Sequence, residues 1–277
     1  MGIWPDNKRI AIMMAFDLDA ETLWLVRNKE NCSHPVNLSK GAYGPKQGIP
    51  RILNMLDIHD IKATFFIPGW VVERHEETAK DINRRGHEIA FHGYLHEEEQ
   101  GVSYEQENET MEKSEVIIEK ITGKRPVGHR APGGVVHPFT IKLLYERGYI
   151  YSSNWRDRDN AFFHEIDGRE VPLVEFPKDS IYDDSAYFHV TNSPPIREGM
   201  QSARTMIEIW KDEFDGLAAE GDKIMSFVIH PQISGRVSRV NAIGEFIGYM
   251  KTKGAWFGRS DEVARYLIAR KNFHGAS

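Results

Sequence analysis

The sequence predicts an α/β protein on a largely parallel sheet, open or closed into a barrel. Short, continuous apolar runs alternate with longer amphipathic stretches along the whole chain, and that alternation is the signature of repeated βα units. The apolar runs lack polar alternation, as in strands covered on both faces. With 277 residues, of which 40% are hydrophobic, the chain can bury a sizeable core without staples, and single α/β barrels reach this length. We therefore expect one domain over residues 1–277.

The first strand is expected at 10–17 (IAIMMAFD). A helix follows over 48–59, where Ile49, Ile52, Leu53 and Leu56 keep a three-and-four spacing and Pro50 sits in the permissive first turn. Strand 63–68 (ATFFIP) leads to a helix over 73–85 that ends at Gly86, and then to strand 88–91 (EIAF). Ser103, three residues before Gln106, has the spacing of a capping box and opens a long helix, 103–122. Strand 127–130, helix 138–147, strand 171–176, helix 201–219, strand 224–229 (IMSFVI), helix 240–253, a weaker strand 255–257 and helix 261–271 complete the series. Residues 156–200, with Pro194 and Pro195, are the least regular stretch and read as a long insertion.

Composition narrows the function. The formal charge is −6, from 35 basic and 41 acidic residues, so no global basic field points to nucleic acid or anionic lipid. No apolar run approaches the ~20 residues of a membrane span. The N-terminal run ends in aspartate and does not read as a signal peptide. The single cysteine, Cys32, cannot form an internal disulfide, which fits a reducing compartment. We expect a cytoplasmic protein without membrane or nucleic-acid partners.

Four clusters carry candidate chemistry. In FDLDAE, Asp17 and Asp19 would share one face, roughly 6–7 Å apart. Carboxylates that close stay ionised beside a divalent metal or an arginine, although a solvated strand end is the plainer alternative. In AFHGYLHEEE, His92 and His96 have an i, i+4 spacing; on a helical turn they would approach to ~6 Å and suit a zinc-like site, or they are an exposed pair. In GHRAPGG, Arg130 could pin a carboxylate or be a loop arginine; His129 alternates to the other side of its strand. In SFVIHPQISGR, His230 closes a strand, and a pKa near 6.5 suits acid or base work. Asp17, Asp19, His92, Arg130 and His230 all fall at C-terminal ends of predicted strands, the edge where parallel α/β folds build their sites. That common placement favours catalysis over four unrelated loops that carry these residues incidentally.

At these residues the chain resembles the polysaccharide deacetylase family, carbohydrate esterase family 4. The stretch KATFFIPGWVVERHEETAKDINRRGHEIAFHGYLHE is similar to that family's core, and ITGKRPVGHRAPGG to its third motif. The resemblance implies a distorted (β/α) barrel with about seven strands. It implies Asp17 as catalytic base, Asp19, His92 and His96 as metal ligands, Arg130 orienting the base and His230 as general acid. Its aromatic–acid motif falls on Trp155 and Asp159, as substrate contacts. The implied cofactor is Zn²⁺ or another divalent cation such as Co²⁺ or Mn²⁺. FDLDAE in place of TFDDG, Gly93 after the first ligand histidine, and HPQISGR resemble an intracellular branch that includes peptidoglycan deacetylase-like proteins, allantoinase-like enzymes and cyclic imide hydrolases. The expected substrate is thus an N-acetylated sugar or a small cyclic amide, and the expected assembly a homo-oligomer, up to a tetramer. The rival reading is a catalytically silent carbohydrate- or small-molecule-binding protein on the same fold; retention of both aspartates and both histidines argues against it.

Overall fold

The computed structural model describes residues 2–26, 34–189 and 199–271; Cys32, Pro194 and Pro195 lie outside them. Ten strands run in chain order: β1 (Ile10–Met13), β2 (Ala15–Asp17), β3 (Thr64–Ile67), β4 (Glu88–Phe91), β5 (Gly128–His129), β6 (Tyr151–Ser152), β7 (Phe162–Ile166), β8 (Arg169–Glu175), β9 (Lys223–Ser226) and β10 (Trp256–Phe257). A seven-stranded sheet has the order β2-β3-β4-β5-β6-β8-β7, and a three-stranded sheet the order β10-β1-β9. Every pairing is parallel except β7 with β8. The chain passes directly from β1 to β2, and a bridge between Phe16 and Ile229 carries the β9 side along β2. The two sheets thus form one curved wall, a distorted (β/α) barrel.

The expected single strand 10–17 is divided at Met14 for a topological reason. Met13 offers its carbonyl to Phe227 N, whereas Met14 offers its carbonyl to Thr64 N, at the start of β3. The chain changes partners there. Helix 73–85 is also divided, into Gly69–Arg74 and Glu76–Arg84. His75 leaves the helical region (φ −123°, ψ 47°), and its Nε2 lies 2.8 Å from Glu21 Oε2. The capping box at Ser103 forms as the spacing requires, opening Tyr104–Thr122.

Two strands escaped the sequence reading. β6 has two residues, too few for any periodic signal. β7 lies in the stretch read as an irregular insertion; residues 162–175 instead form a hairpin turned at Asp167 (φ 52°) and Gly168 (φ 75°), where a two-residue turn needs positive φ at both positions. The hairpin's second strand, β8, lies against β6 and is part of the wall itself. A helix at Pro35–Tyr43 was also not expected.

The core fills the wall and its helical cover. Phe16 stacks on Phe65 with ring centroids 5.0 Å apart, and Trp210 meets Phe227 at 4.9 Å. Among the described residues no helix is long and apolar enough to cross a membrane.

Helix Pro35–Tyr43 rests directly on the turn that follows β2. A Cβ at Gly41 would lie 2.4 Å from Ala20 O and 2.6 Å from Glu21 Cα, and Ala20 itself has φ 49°. Only a glycine lets these backbones meet. Gly216, in helix Ala203–Glu220, has nothing within 4 Å of such a Cβ. We expect Gly41→Ala to destabilise by ~1–3 kcal/mol through overpacking and Gly216→Ala to stabilise by up to ~1 kcal/mol through helix propensity. Urea denaturation of the two variants reads both signs; a neutral Gly41→Ala would mean the turn is not held by this contact.

Candidate active site

Because the strands are parallel, their C-terminal ends share one rim, and six of the sequence-selected residues meet there. Asp17 is the last residue of β2 and is buried. Its N–H donates to Ile229 O at 2.9 Å, and its Oδ1 accepts from Arg130 Nη1 at 2.6 Å. Arg130, one residue past β5, is fully buried. Its Nη2 donates to Ser153 Oγ and Ser226 Oγ, each at 3.1 Å, and its guanidinium lies 4.1 Å from the centre of the Phe66 ring. The expected arginine–carboxylate clamp is therefore present through one Nη, with the other Nη taken by two serines.

Asp19 lies at the centre of three imidazoles. Its Oδ1 is 3.4 Å from His92 Nε2 and 3.7 Å from His96 Nε2. Its Oδ2 is 3.6 Å from His230 Nε2 and accepts from Gln232 Nε2 at 3.2 Å. Burial alone would raise this carboxyl, but His96, His92 and His230 together hold it below the ordinary carboxylate range.

Each histidine is aimed by what stands behind it. His92 Nδ1 is 2.7 Å from the Arg130 carbonyl. A carbonyl can only accept, so Nδ1 carries a hydrogen and Nε2 is the nitrogen turned toward Asp19. His230 Nδ1 is 2.6 Å from Asp184 Oδ1, and its backbone N–H donates to Asp184 Oδ2 at 3.0 Å. Burial pulls His230 down, but Asp184, with Asp183 and Asp19, outweighs it and raises the imidazole to about 10. His96 Nδ1 lies 3.2 Å from Glu98 Oε1.

The histidine pair does not sit on a helical turn. Gly93 (φ 73°) and His96 (φ 62°) both adopt left-handed backbone, and the rings meet edge to face with centroids 5.0 Å apart. Glu97 holds the loop by accepting from Tyr94 N at 2.9 Å and Leu95 N at 2.8 Å. The Tyr94 amide is thus already occupied, and Glu97 and Glu98 both bear on the histidine loop.

Trp155 follows β6, half-buried, with its ring 4.9 Å from that of His164 and its N–H on Glu175 Oε1 at 3.0 Å. Asp159 is exposed and joins the wall through its carbonyl, which accepts from Ile224 N at 3.1 Å; it does not enter the cluster of six. His129 is buried against Phe91, outside the cluster, and burial lowers it to about 3. Sequence reasoning missed Asp184, Gln232, Ser153, Ser226 and Glu98. Only Asp183–Asp184, a pair of acids within a mostly apolar SIYDDSAYF, offered a visible signal.

Asp19, His92 and His96 fit a divalent cation. Their donor atoms lie within 4.8 Å of one another, and the buried Asp19 Oδ1 has no hydrogen-bond partner among the described residues. Tetrahedral bonds of ~2.0–2.2 Å place ligand atoms about 3.3–3.6 Å apart, close to the 3.4 and 3.7 Å found.

Residues 42–152 match the polysaccharide deacetylase family. A peptidoglycan deacetylase of Helicobacter pylori is 30% identical over 83% of this chain and 86% of its own length. A peptidoglycan deacetylase-like protein of Gibberella zeae is 27% identical over 98% of this chain and 90% of its own. Among solved structures, a Mycobacterium smegmatis protein assigned as a polysaccharide deacetylase superposes with a TM-score of 0.92 and 32% identity, covering 97% of this chain and 93% of that one. The allantoinase Puue gives 0.84 and 26%, covering 100% and 95%. The chain belongs to the polysaccharide deacetylase family, whose members are hydrolases of carbon–nitrogen bonds other than peptide bonds.

Proposed function

We propose that this chain is a metal-dependent hydrolase of non-peptide amide bonds, acting as one catalytic domain over residues 1–277. The observation that carries this reading is Asp19 Oδ1, buried, without a hydrogen-bond partner, and facing two imidazole nitrogens. Asp19, His92 and His96 would hold the ion, Zn²⁺ first, with Co²⁺ or Mn²⁺ as alternatives. When bound, it polarises the substrate carbonyl and lowers the pKa of the attacking water toward ~7.

The chain's own residues do the rest. Asp17 takes a proton from the water; its Oδ1 is fixed by Arg130, and its Oδ2 lies 3.9 Å from His92 Nε2, on the cluster side. His230, kept charged by Asp184, gives its Nε2 proton to the departing nitrogen, a role typically worth about 10²–10⁴ in rate. Trp155 and Asp159 complete the proposal as substrate contacts in the loop after β6. Two substrates compete. The peptidoglycan deacetylase relatives favour an N-acetylated sugar, and the likeness to the allantoinase Puue over the whole chain favours a small cyclic amide.

Three outcomes are expected. Elemental analysis of purified protein should find about one divalent ion per chain in the wild type and in Asp17→Asn, and none in Asp19→Ala or His92→Ala. Asp17→Asn should lose at least about 10² in turnover; a fully active variant would remove Asp17 from the base role. A wild type without metal would leave the silent binding protein as the better reading.

Zinc-loaded protein should either release acetate from chitooligosaccharides or open the rings of succinimide and allantoin. Neither reaction would count against both substrates.

The Asp184–His230 pair makes a pH prediction for metal-free protein. A histidine raised from 6.5 to about 10 stabilises the fold in full below pH ~6.5, and this contribution is lost as pH rises through about 10. The stability gap between wild type and Asp184→Asn should therefore narrow steadily across that interval in denaturation curves. A gap that widens with pH would show that His230 is buried neutral.

A further inference from the structure

The loop after β8 carries a charge that the proposed reaction does not use. Lys178 is nine-tenths buried, and its N–H donates to Trp155 O at 2.9 Å, which pins its backbone to the loop after β6. Its ammonium makes no hydrogen bond or ion pair among the described residues. Burial lowers it to about 8; Arg130 and Arg156 push it the same way, while Asp17 and Asp183 pull it back. It remains a cation at neutral pH. Its backbone stands on the catalytic rim: two residues before it the Phe176 carbonyl accepts from Ser153 Oγ at 3.0 Å, the same hydroxyl that accepts from Arg130 Nη2.

Asp17 does not neutralise it, because the Asp17 oxygens already face Arg130 and His92. The second cation is Arg156. It crosses the turn at Pro132–Gly134, where a Cβ on Gly134 would fall 2.8 Å from its Nη2, and it too has no acidic partner among the described residues. Two cations from separate loops, the buried Lys178 and the exposed Arg156, therefore stand at one edge of the site with no direct ion pair among the described residues; the acids that act on Lys178, Asp17 and Asp183, do so without contact. Desolvating an unpaired ammonium under a bound ligand is costly, so a neutral ligand seated over Lys178 is penalised and an anionic one is rewarded.

We propose that Lys178, with Arg156 beside it, binds a carboxylate or similar compact anion carried by the substrate, so that this chain prefers anionic amides to neutral ones. The inference rests on the reading of this rim as an amide-hydrolysing site and adds a substrate class to it. A carboxylate on Lys178 would lay the rest of the ligand toward Asp17, where the amide must sit.

N-acetylmuramic acid and N-acetylglucosamine test this directly: they share a ring and an N-acetyl amide, and only the first carries a lactyl carboxylate. Calorimetric titration of metal-stripped protein removes the ion as a competing anion site. Wild type should bind the muramic acid about tenfold more tightly, ~1.4 kcal/mol. Lys178→Met should shrink the preference below about twofold, and Lys178→Arg, which keeps the charge, should retain most of it. Equal affinities in the wild type, no measurable binding of either sugar, or a preference that survives in Lys178→Met would overturn the proposal. A failure of the hydrolase reading would look different: no product from zinc-loaded protein on any amide, with the binding preference intact.

Discussion

A fully buried arginine constrains the whole rim. Guanidinium does not lose its proton in a protein, so Arg130 is a permanent charge in a dry place, and leaving it uncompensated would cost several kcal/mol. The compensation comes from four directions. Asp17 supplies the counter-charge from β2, Ser153 and Ser226 supply acceptors from the ends of β6 and β9, and Phe66 supplies a ring face from β3. One side chain thus ties four strand ends together. The same contact fixes Asp17 Oδ1 beside the histidines, and the Arg130 carbonyl aims His92. Moving Arg130 would disturb Asp17, His92 and the strand ends it joins at once.

The loops beyond the strands are held by backbone contact rather than by side-chain volume. A Cβ at Gly48 would lie 2.3 Å from Pro231 O, and one at Gly235 would lie 2.3 Å from Gly48 Cα. The turn Pro231–Ser234, which carries Gln232 toward Asp19, is therefore pressed onto the wide turn Gly44–Gly48. Gly41 does the same for the turn holding Asp19. Rigid support of this kind suits a site whose donors must stay within a few tenths of an ångström of a cation's needs.

Much of this was legible in the sequence because it is local. Apolar runs mark the strands, Ser103 and Gln106 mark a helix start, and residues at strand ends mark the rim because parallel strands share a polarity. What escaped is tertiary. The break at Met14 exists because two different neighbours compete for one strand. Asp184 meets His230 across 46 residues, and no spacing rule links them. Helical spacing singles out the histidine pair although the chain there is a left-handed loop held by Glu97, so two rings that do meet were picked out by an incomplete geometric reason. The hairpin at Asp167–Gly168 differs from these. An Asp-Gly step between FFHEI and REVPLVE is a strong local turn signal, and it was masked by the irregular residues around it.

The site's division of labour follows from what stands behind each imidazole. His92 and His230 both point Nε2 at Asp19, at 3.4 and 3.6 Å, so the face they show does not distinguish them. Behind His92 is a carbonyl, which accepts one hydrogen bond and offers only a partial charge. It fixes a hydrogen on Nδ1 and leaves Nε2 as the atom that would meet a cation. Behind His230 is the buried carboxylate of Asp184, a full charge that favours the imidazolium, the form that donates a proton. His96 is intermediate: Glu98 is a carboxylate, but its side chain is 27% exposed, so water screens it, and a carboxylate behind a metal-binding histidine strengthens the ligand without requiring a second proton. The proposed ligand and the proposed acid can therefore be the same residue type within one cluster, because what separates them lies in the atoms one hydrogen bond further out.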